Sequence, residues 1–301
     1  MLPVFVINLD RSTDRLAKMR GQCAAIGVSF ERFPGVLGTD LPPALKPYFC
    51  DAAGNIVSPL RPAEIGCYAS HLGVWQRVVE VGLPAAMVCE DDAILPSGID
   101  GLVDEILKFL PPDWDMVLLA SISSEATKPL HVLSSGASIV RYSKVPGCMA
   151  CYLISRAGAA KMLRAVAPRM WTNDVDSRWP WKFGMDTYGV LPRLVEWWNL
   201  TSTINPAGGG RLGGGRSALR SGMRRSNFRT LESFLFNLRK LGPYWWTRCF
   251  IINCGVKTQK LLVPLRRSVG WAAPRVVRPV SPAYPEASRR LLPSSVDQDA
   301  E

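Results

Sequence analysis

The sequence predicts an α/β protein in which a mostly parallel sheet is flanked by helices. Residues 4–33 read as strand, helix and strand, and residues 62–95 read as a helix, a turn and a strand buried on both faces. Apolar runs and helical spacings keep alternating as far as residue 167.

Residues 4–9 are an apolar run suited to a first buried strand, and Ser12 or Asp10 can cap the helix that follows. Leu16, Met19, Cys23 and Ile26 make the buried face of that helix, and Gly27 ends it. Residues 30–33 suit a second strand. Residues 34–63 are rich in Pro and Gly and read as an irregular excursion. Pro62 then fits a first helical turn, where its missing N–H costs nothing, and Glu64 fits the positive end of a helix. Ile65, Tyr68, Leu72, Trp75 and Val79 give that helix one apolar stripe. Gly82 and Pro84 stop it. Residues 85–89 are a short apolar run bounded by turn signals, as expected of a strand covered on both faces. Further on, residues 100–110 predict a helix, 116–120 a strand, 121–135 a polar loop, 151–155 a strand and 158–167 a helix.

Glu90, Asp91 and Asp92 follow the buried strand directly, so they lie at its carboxyl end, the edge along which open α/β sheets collect ligands. Three adjacent carboxylates repel one another unless a cation or hydrogen-bond donors compensate. Mg²⁺ or Mn²⁺ does this well, because such ions prefer oxygen and bind through one or two carboxylates plus substrate phosphates. The turn after the first strand carries Asn8, Leu9, Asp10, Arg11 and Arg15 at the same edge. Its arginines either meet phosphates or pair with Asp10 and Asp14.

Composition limits the alternatives. The chain has 301 residues and a formal net charge of +11. Residues 1–206 hold 19 Lys and Arg against 20 Asp and Glu, whereas residues 207–301 hold 17 against 5. A near-neutral body with a basic tail suggests a catalytic domain carrying an attachment region for something anionic. The first residues have no basic leader, and no run of eighteen uncharged apolar residues occurs, so neither a signal peptide nor a membrane span is expected. The eight cysteines mostly sit singly in apolar surroundings and suit reduced thiols in a cytosol. Cys148 and Cys151 form one CxxC without a second, which reads as core packing.

Residues 210–217, GRLGGGRS, imitate a phosphate-binding loop, but Arg216 stands where that loop requires lysine. A glycine-rich linker or mobile loop over 207–226 explains them. Phe228, Leu231, Leu235, Leu238 and Leu241 recur at helical spacing beside Arg229, Arg239 and Lys240, and Gly242 and Pro243 end that helix. Trp245, Trp246 and Phe250 follow, then Lys257, Lys260, Arg266 and Arg267. Region 227–273 therefore reads either as an amphipathic segment on an anionic membrane surface or as a helix docked on the body. Residues 274–301 read as a disordered tail.

The segments VINLDRSTDR at 6–15, FERFPGV at 30–36, LRPAEIGCYASHLGVWQ at 60–76, MVCEDDAIL at 87–95 and CYLISRAGAAKML at 151–163 occur in this order. Together they resemble glycosyltransferase family 25, the bacterial lipopolysaccharide and lipooligosaccharide group that includes animal procollagen galactosyltransferases. The likeness makes residues 1–206 the catalytic domain. It implies a GT-A-like, Rossmann-type fold, a nucleotide-sugar donor such as UDP-galactose, and transfer of a hexose to a glycan acceptor, either lipopolysaccharide core or another cell-surface glycan. Within the resemblance, Glu90 and Asp92 match metal ligands and Asp91 the donor side of the acidic motif. Asn8, Leu9, Asp10, Arg11 and Arg15 match the donor-side turn, and Glu64, Ser70 and His71 the helix signature. The family's later acid, followed by a tyrosine-and-proline strand, appears as NDVDSRW with YGVLPRLV downstream. Asp176 matches the general base, while the spacing leaves Asp174 and Asp186 open, and His71 is a further candidate near the site.

The chemistry is consistent with this. Moving a sugar off a nucleoside diphosphate develops negative charge on the departing phosphate, which a metal and cationic side chains stabilise. The acceptor hydroxyl needs a carboxylate or histidine as base. A non-catalytic carbohydrate-binding relative would be expected to lose the acidic motif, which is intact here. A nucleic-acid binder would need a recognisable motif in the basic tail, which has none. The expected location is the cytoplasm, peripheral on the inner face of the cell membrane, where a lipid-linked glycan would be presented.

Overall fold

The computed structural model describes residues 2–198 and 230–268, with side chains described as far as residue 255. The expected linker at 207–226, its P-loop-like glycines and the tail at 274–301 lie outside the described residues, as do the side chains of Lys257, Lys260, Arg266 and Arg267.

The opening unit forms as its pattern predicts. Strand β1 (Val4–Asn8) leads to helix α1 (Thr13–Ala25) and strand β2 (Glu31–Pro34), which pairs parallel to β1. Ser12 occupies the N-cap position of α1 without a side-chain capping bond. Met19 and Cys23 are fully buried, while Leu16 and Ile26 are half-buried at the rim of that face. The 34–63 excursion contains one 3-10 helix, Pro43–Tyr48. Helix α2 (Pro62–Glu80) has Pro62 in its first turn and buries Ile65, Tyr68, Leu72 and Trp75. Strand β3 (Ala85–Glu90) pairs parallel to β1 on the side away from β2.

A short strand β4 (Ala93–Ile94), helix α3 (Ile99–Phe109) and strand β5 (Met116–Leu118) come next. The polar loop expected at 121–135 is instead half strand. Strand β6 (Thr127–Val132) forms a hairpin with β7 (Ser138–Tyr142), turning through Gly136 at φ +81°. The sequence pattern misses it because β6 is an edge strand with no buried residue, Leu130 and Val132 being exposed, so it carries no apolar run. Strand β8 (Cys151–Ser155), helix α4 (Arg156–Arg164), the short helices α5 (Asn173–Asp176) and α6 (Pro180–Phe183), and strands β9 (Thr187–Leu191) and β10 (Glu196–Trp197) complete the body.

The main sheet has the order β2-β1-β3-β8-β5-β9-β7-β6, with β7 and β8 running against the other six strands. Successive residues of each strand face opposite layers, as a period of two requires. Phe5, Val88, Tyr152 and Ile154 pack with Tyr68, Leu72 and Trp75 of α2 on one face. Val4, Val6, Met87, Cys89, Cys151 and Leu153 pack with α1 and α3 on the other. The chain leaves β1 toward β2 on one side and reaches β3 on the other. A crevice therefore opens at the carboxyl ends of β1 and β3, the switch-point position where such sheets bind ligands.

Helices α7 (Leu231–Leu241) and α8 (Pro243–Ser268) dock on the far end of the body. Lys240 Nζ donates to Asp186, Lys128 Nζ to the Leu241 carbonyl at 3.3 Å, and the Ala126 amide to Asn253 Oδ1 at 2.7 Å. Leu241 and Cys249 are buried, but Leu231, Leu235, Tyr244, Phe250 and Ile251 remain exposed. Among the described residues, no helix is long and apolar enough to cross a membrane.

Candidate active site

The crevice is a cleft of about 520 Å³. Leu9, Arg11 and Arg15 from the turn after β1 line it, together with Ser70 and His71 of α2, the acids Glu90, Asp91 and Asp92, and Trp197 and Trp198.

The three acids have three different environments. Asp91 is buried and fully engaged: Asn8 Nδ2 donates to its Oδ2 at 2.7 Å and Arg15 NH1 to its Oδ1 at 3.0 Å. Asn8 is itself fixed, donating to the Ser12 carbonyl at 3.0 Å and accepting from Arg32 Nε at 3.1 Å. The turn arginine thus pairs with Asp91, while Asp10 is taken by Arg32. Glu90 accepts from His71 Nε2 at 3.3 Å. Asp92 has no such help. Its Oδ1 is buried without a hydrogen-bond partner among the described residues. Burial first, then the charges of Glu90 and Asp91, push its carboxyl up to about 6, against a smaller opposing pull from Arg15. A carboxylate with one buried oxygen left unpaired, beside a second carboxylate, is the arrangement a hard divalent cation relieves, so Glu90 and Asp92 fit Mg²⁺ or Mn²⁺.

His71 is buried in a directed chain. Trp75 Nε1 donates to the Tyr152 hydroxyl at 2.9 Å, and that hydroxyl lies 2.9 Å from His71 Nδ1. With the Tyr152 oxygen accepting from Trp75, its proton goes to Nδ1, which leaves Nε2–H to face Glu90. Three side chains from α2 and β8 thereby orient the Glu90 carboxylate at the end of β3.

The opposite wall is a backbone-to-backbone contact. A Cβ on Gly38 would lie 1.9 Å from the Pro62 carbonyl, and one on Gly66 would lie 2.5 Å from the Val36 carbonyl. Ser70 Oγ accepts from the Val36 amide at 2.8 Å and donates to the Gly66 carbonyl at 2.7 Å, tying the 35–39 loop to α2. Glu64 is not on the cleft wall. It caps its own helix, accepting from the Arg61 amide at 2.9 Å and pairing with the Arg61 guanidinium.

The later acids diverge. Asp176 is 5% exposed and sits behind α2, accepting from the Tyr68 hydroxyl at 2.9 Å, and it does not line the cleft. Burial pushes it up to about 6, although Tyr68 and Arg169 pull the other way. Asp174 is half-buried, held by Thr172 Oγ1, and would stand 3.2 Å from a Cβ on Gly147. Like Asp176 it does not line the cleft, although its charge, with those of Glu90 and Asp92, helps to raise the thiols of Cys67 and Cys148. Cys148 beside it adopts φ +135°, a strained value for a residue with a side chain. Asp186 pairs with Arg141 at 2.8 Å and with Lys240, which holds its carboxyl below the ordinary range despite burial.

Sequence reasoning did not single out Cys67, Tyr152, Trp197 or Trp198. Only Cys67 carried a signal, its four-residue spacing from His71. Trp198 reaches the site because its amide donates to the Asp92 carbonyl at 2.8 Å, a contact no pattern announces.

The profile of glycosyltransferase family 25 (LPS biosynthesis protein) matches residues 1–179. Among individual relatives, a glycosyltransferase 25 family member of Anopheles gambiae is 32% identical over 97 residues, covering 30% of this chain and 16% of that protein. Procollagen galactosyltransferase 1 of Danio rerio is 26% identical over 174 residues, covering 54% and 28%. An inactive glycosyltransferase 25 family member 3 of Homo sapiens is 28% identical over 177 residues, covering 53% and 28%. The chain thus spans less than a third of the length of these relatives. With the profile running from the first strand through the acids to α5, the chain belongs to glycosyltransferase family 25.

Proposed function

We propose that the protein is a metal-dependent glycosyltransferase that moves a hexose from a nucleotide sugar to a glycan acceptor. The observation carrying this is the meeting of Glu90 and the orphaned Asp92 with Arg11 and Arg15 in one cleft at the sheet's switch point. Glu90 and Asp92 hold Mn²⁺ or Mg²⁺, which when bound supplies Lewis-acid stabilisation of the departing diphosphate. Arg11 reaches into the same cleft as a cationic group for the phosphates, and the Asn8–Asp91–Arg15 cluster keeps the turn beneath them rigid. Asp174, the half-buried acid whose charge is felt at Cys67 of the cleft, accepts the acceptor hydroxyl's proton, and Asp176 behind Tyr68 positions α5. A galactosyl donor such as UDP-galactose draws support from the name of the zebrafish relative, and a lipopolysaccharide acceptor from the family's description.

The proposal includes an anionic membrane surface on the cytoplasmic side. Leu231, Leu235, Tyr244, Phe250 and Ile251 are exposed on α7 and α8 beside the exposed Arg239 and Arg248, although the opposite faces are docked.

The test is nucleotide release from a panel of nucleotide sugars with Mn²⁺, Mg²⁺ or chelator. Metal-dependent release that Asp92→Ala abolishes is the expected result. No release with any donor, by a folded protein that still binds glycan, identifies a non-catalytic carbohydrate-binding relative instead.

A further inference from the structure

We propose that the cleft also holds a thiophilic cation site, formed by Cys67 Sγ, His71 Nε2 and Glu90 Oε1, which takes Zn²⁺ and competes for Glu90 with the hard ion. The existence of this site does not depend on sugar transfer; only its inhibitory effect rests on the proposed function.

Cys67 and His71 are four residues apart on α2, so they share one face, and Glu90 ends the strand that face covers. The three ligand atoms all lie within 4.8 Å of one another, and the His71–Glu90 pair is already at 3.3 Å. Tetrahedral zinc, with bonds of about 2.3 Å to sulfur and 2.0 Å to nitrogen and oxygen, sets these three ligands roughly 3.3 to 3.5 Å apart. Side-chain shifts of about 1 Å therefore complete the set. All three residues line the cleft, which gives the ion an entry path and leaves its fourth position to water.

Chemistry selects the ion. A thiolate and an imidazole favour zinc over magnesium or manganese, whereas Glu90 with Asp92 offers only oxygen. The support behind His71 already exists. When zinc takes Nε2, that nitrogen gives up its proton and Nδ1 takes one up, so the 2.9 Å bond to Tyr152 reverses and the ring donates to the Tyr152 oxygen, the usual orienting bond for a metal-bound histidine. The Cys67 proton leaves to solvent as the sulfur becomes a thiolate ligand. Glu90 is then drawn from the hard-ion position toward α2.

The experiment uses the full chain and Co²⁺ as a spectroscopic probe, without donor or acceptor. The wild-type protein should develop a near-ultraviolet thiolate-to-cobalt charge-transfer band saturating at one equivalent, which Zn²⁺ bleaches. Cys67→Ser should abolish the band, and Cys148→Ser, a thiol near the same acids, should keep it. A band absent from the wild type, surviving Cys67→Ser or lost in Cys148→Ser overturns the site. The unmodified protein carries an independent arm should a variant fail to fold. Zn²⁺ at tenfold above its Kd should slow alkylation of Cys67 roughly tenfold, mapped by peptide mass, and leave the exposed Cys254 unaffected. Equal rates at Cys67 with and without zinc overturn the proposal.

Discussion

Asn8 and Asp91, 83 residues apart in sequence, are joined by a 2.7 Å hydrogen bond at the floor of the cleft. That bond and the Arg15 contact weld the turn after β1 to the end of β3. Removing Arg15 leaves a buried carboxylate short of its counter-charge, which costs about 3 to 5 kcal/mol. Arg15→Met should therefore lower stability by that order in urea unfolding, whereas Asp91→Asn, which keeps the Asn8 contact, should cost less. Equal losses would show that the ion pair is not the dominant link.

Asp174 and Asp176 make opposite kinetic predictions although they share one short helix. Asp174→Asn should lower kcat by about 10² to 10⁴, with donor affinity changed only a few-fold, because a base acts in the transition state. Asp176→Asn should change kcat far less. A larger kcat loss at Asp176 would move the base assignment behind Tyr68.

The Asp176 carboxyl also gives stability a pH signature. Burial raises it to about 6 from an ordinary 3.8. Between these values the folded chain keeps a proton that the unfolded chain has released. The stabilising contribution is therefore complete below about 3.8 and is lost as pH rises through about 6. At about 1.4 kcal/mol per pH unit this amounts to about 3 kcal/mol. Asp176→Asn should remove that slope from stability curves measured across pH 4 to 7; an unchanged slope would assign it to another group.

Attachment to membranes is read by sedimentation with anionic and neutral vesicles. Each basic residue near an anionic surface adds about 1 kcal/mol, so binding should fall steeply with salt. Leu235→Glu combined with Ile251→Glu alters only exposed positions and should release the protein from anionic vesicles while the body stays folded. Retention of the double variant would exclude this face.

Most of the fold was legible because its strands are buried on both faces and its helices carry single apolar stripes: residues 85–89 and 151–155 could hardly be anything else. The β6–β7 hairpin was not, since an edge strand half in water has no continuous run. The site divided in the same way. Glu90 and Asp92 announced themselves by following a buried strand, and Arg11 by its turn. The separation of Asp174 from Asp176 depended on which side of a four-residue helix each faces, and the grip of Asn8 on Asp91 depended on two strands becoming neighbours. Neither is encoded in local pattern.

The reversed direction of β8 has a consequence for how such a site can change over evolutionary time. Because β8 runs against β3, with the Glu90 amide donating to the Ala150 carbonyl at 2.8 Å, it is the start of β8 that meets the end of β3. The edge that gathers the loops leaving the parallel strands thus also gathers the segment entering β8, residues 143–150. Insertions there lengthen a loop at the edge beside the cleft without shifting the register that fixes Glu90, so this edge can diversify while the carboxylates at the end of β3 stay in place.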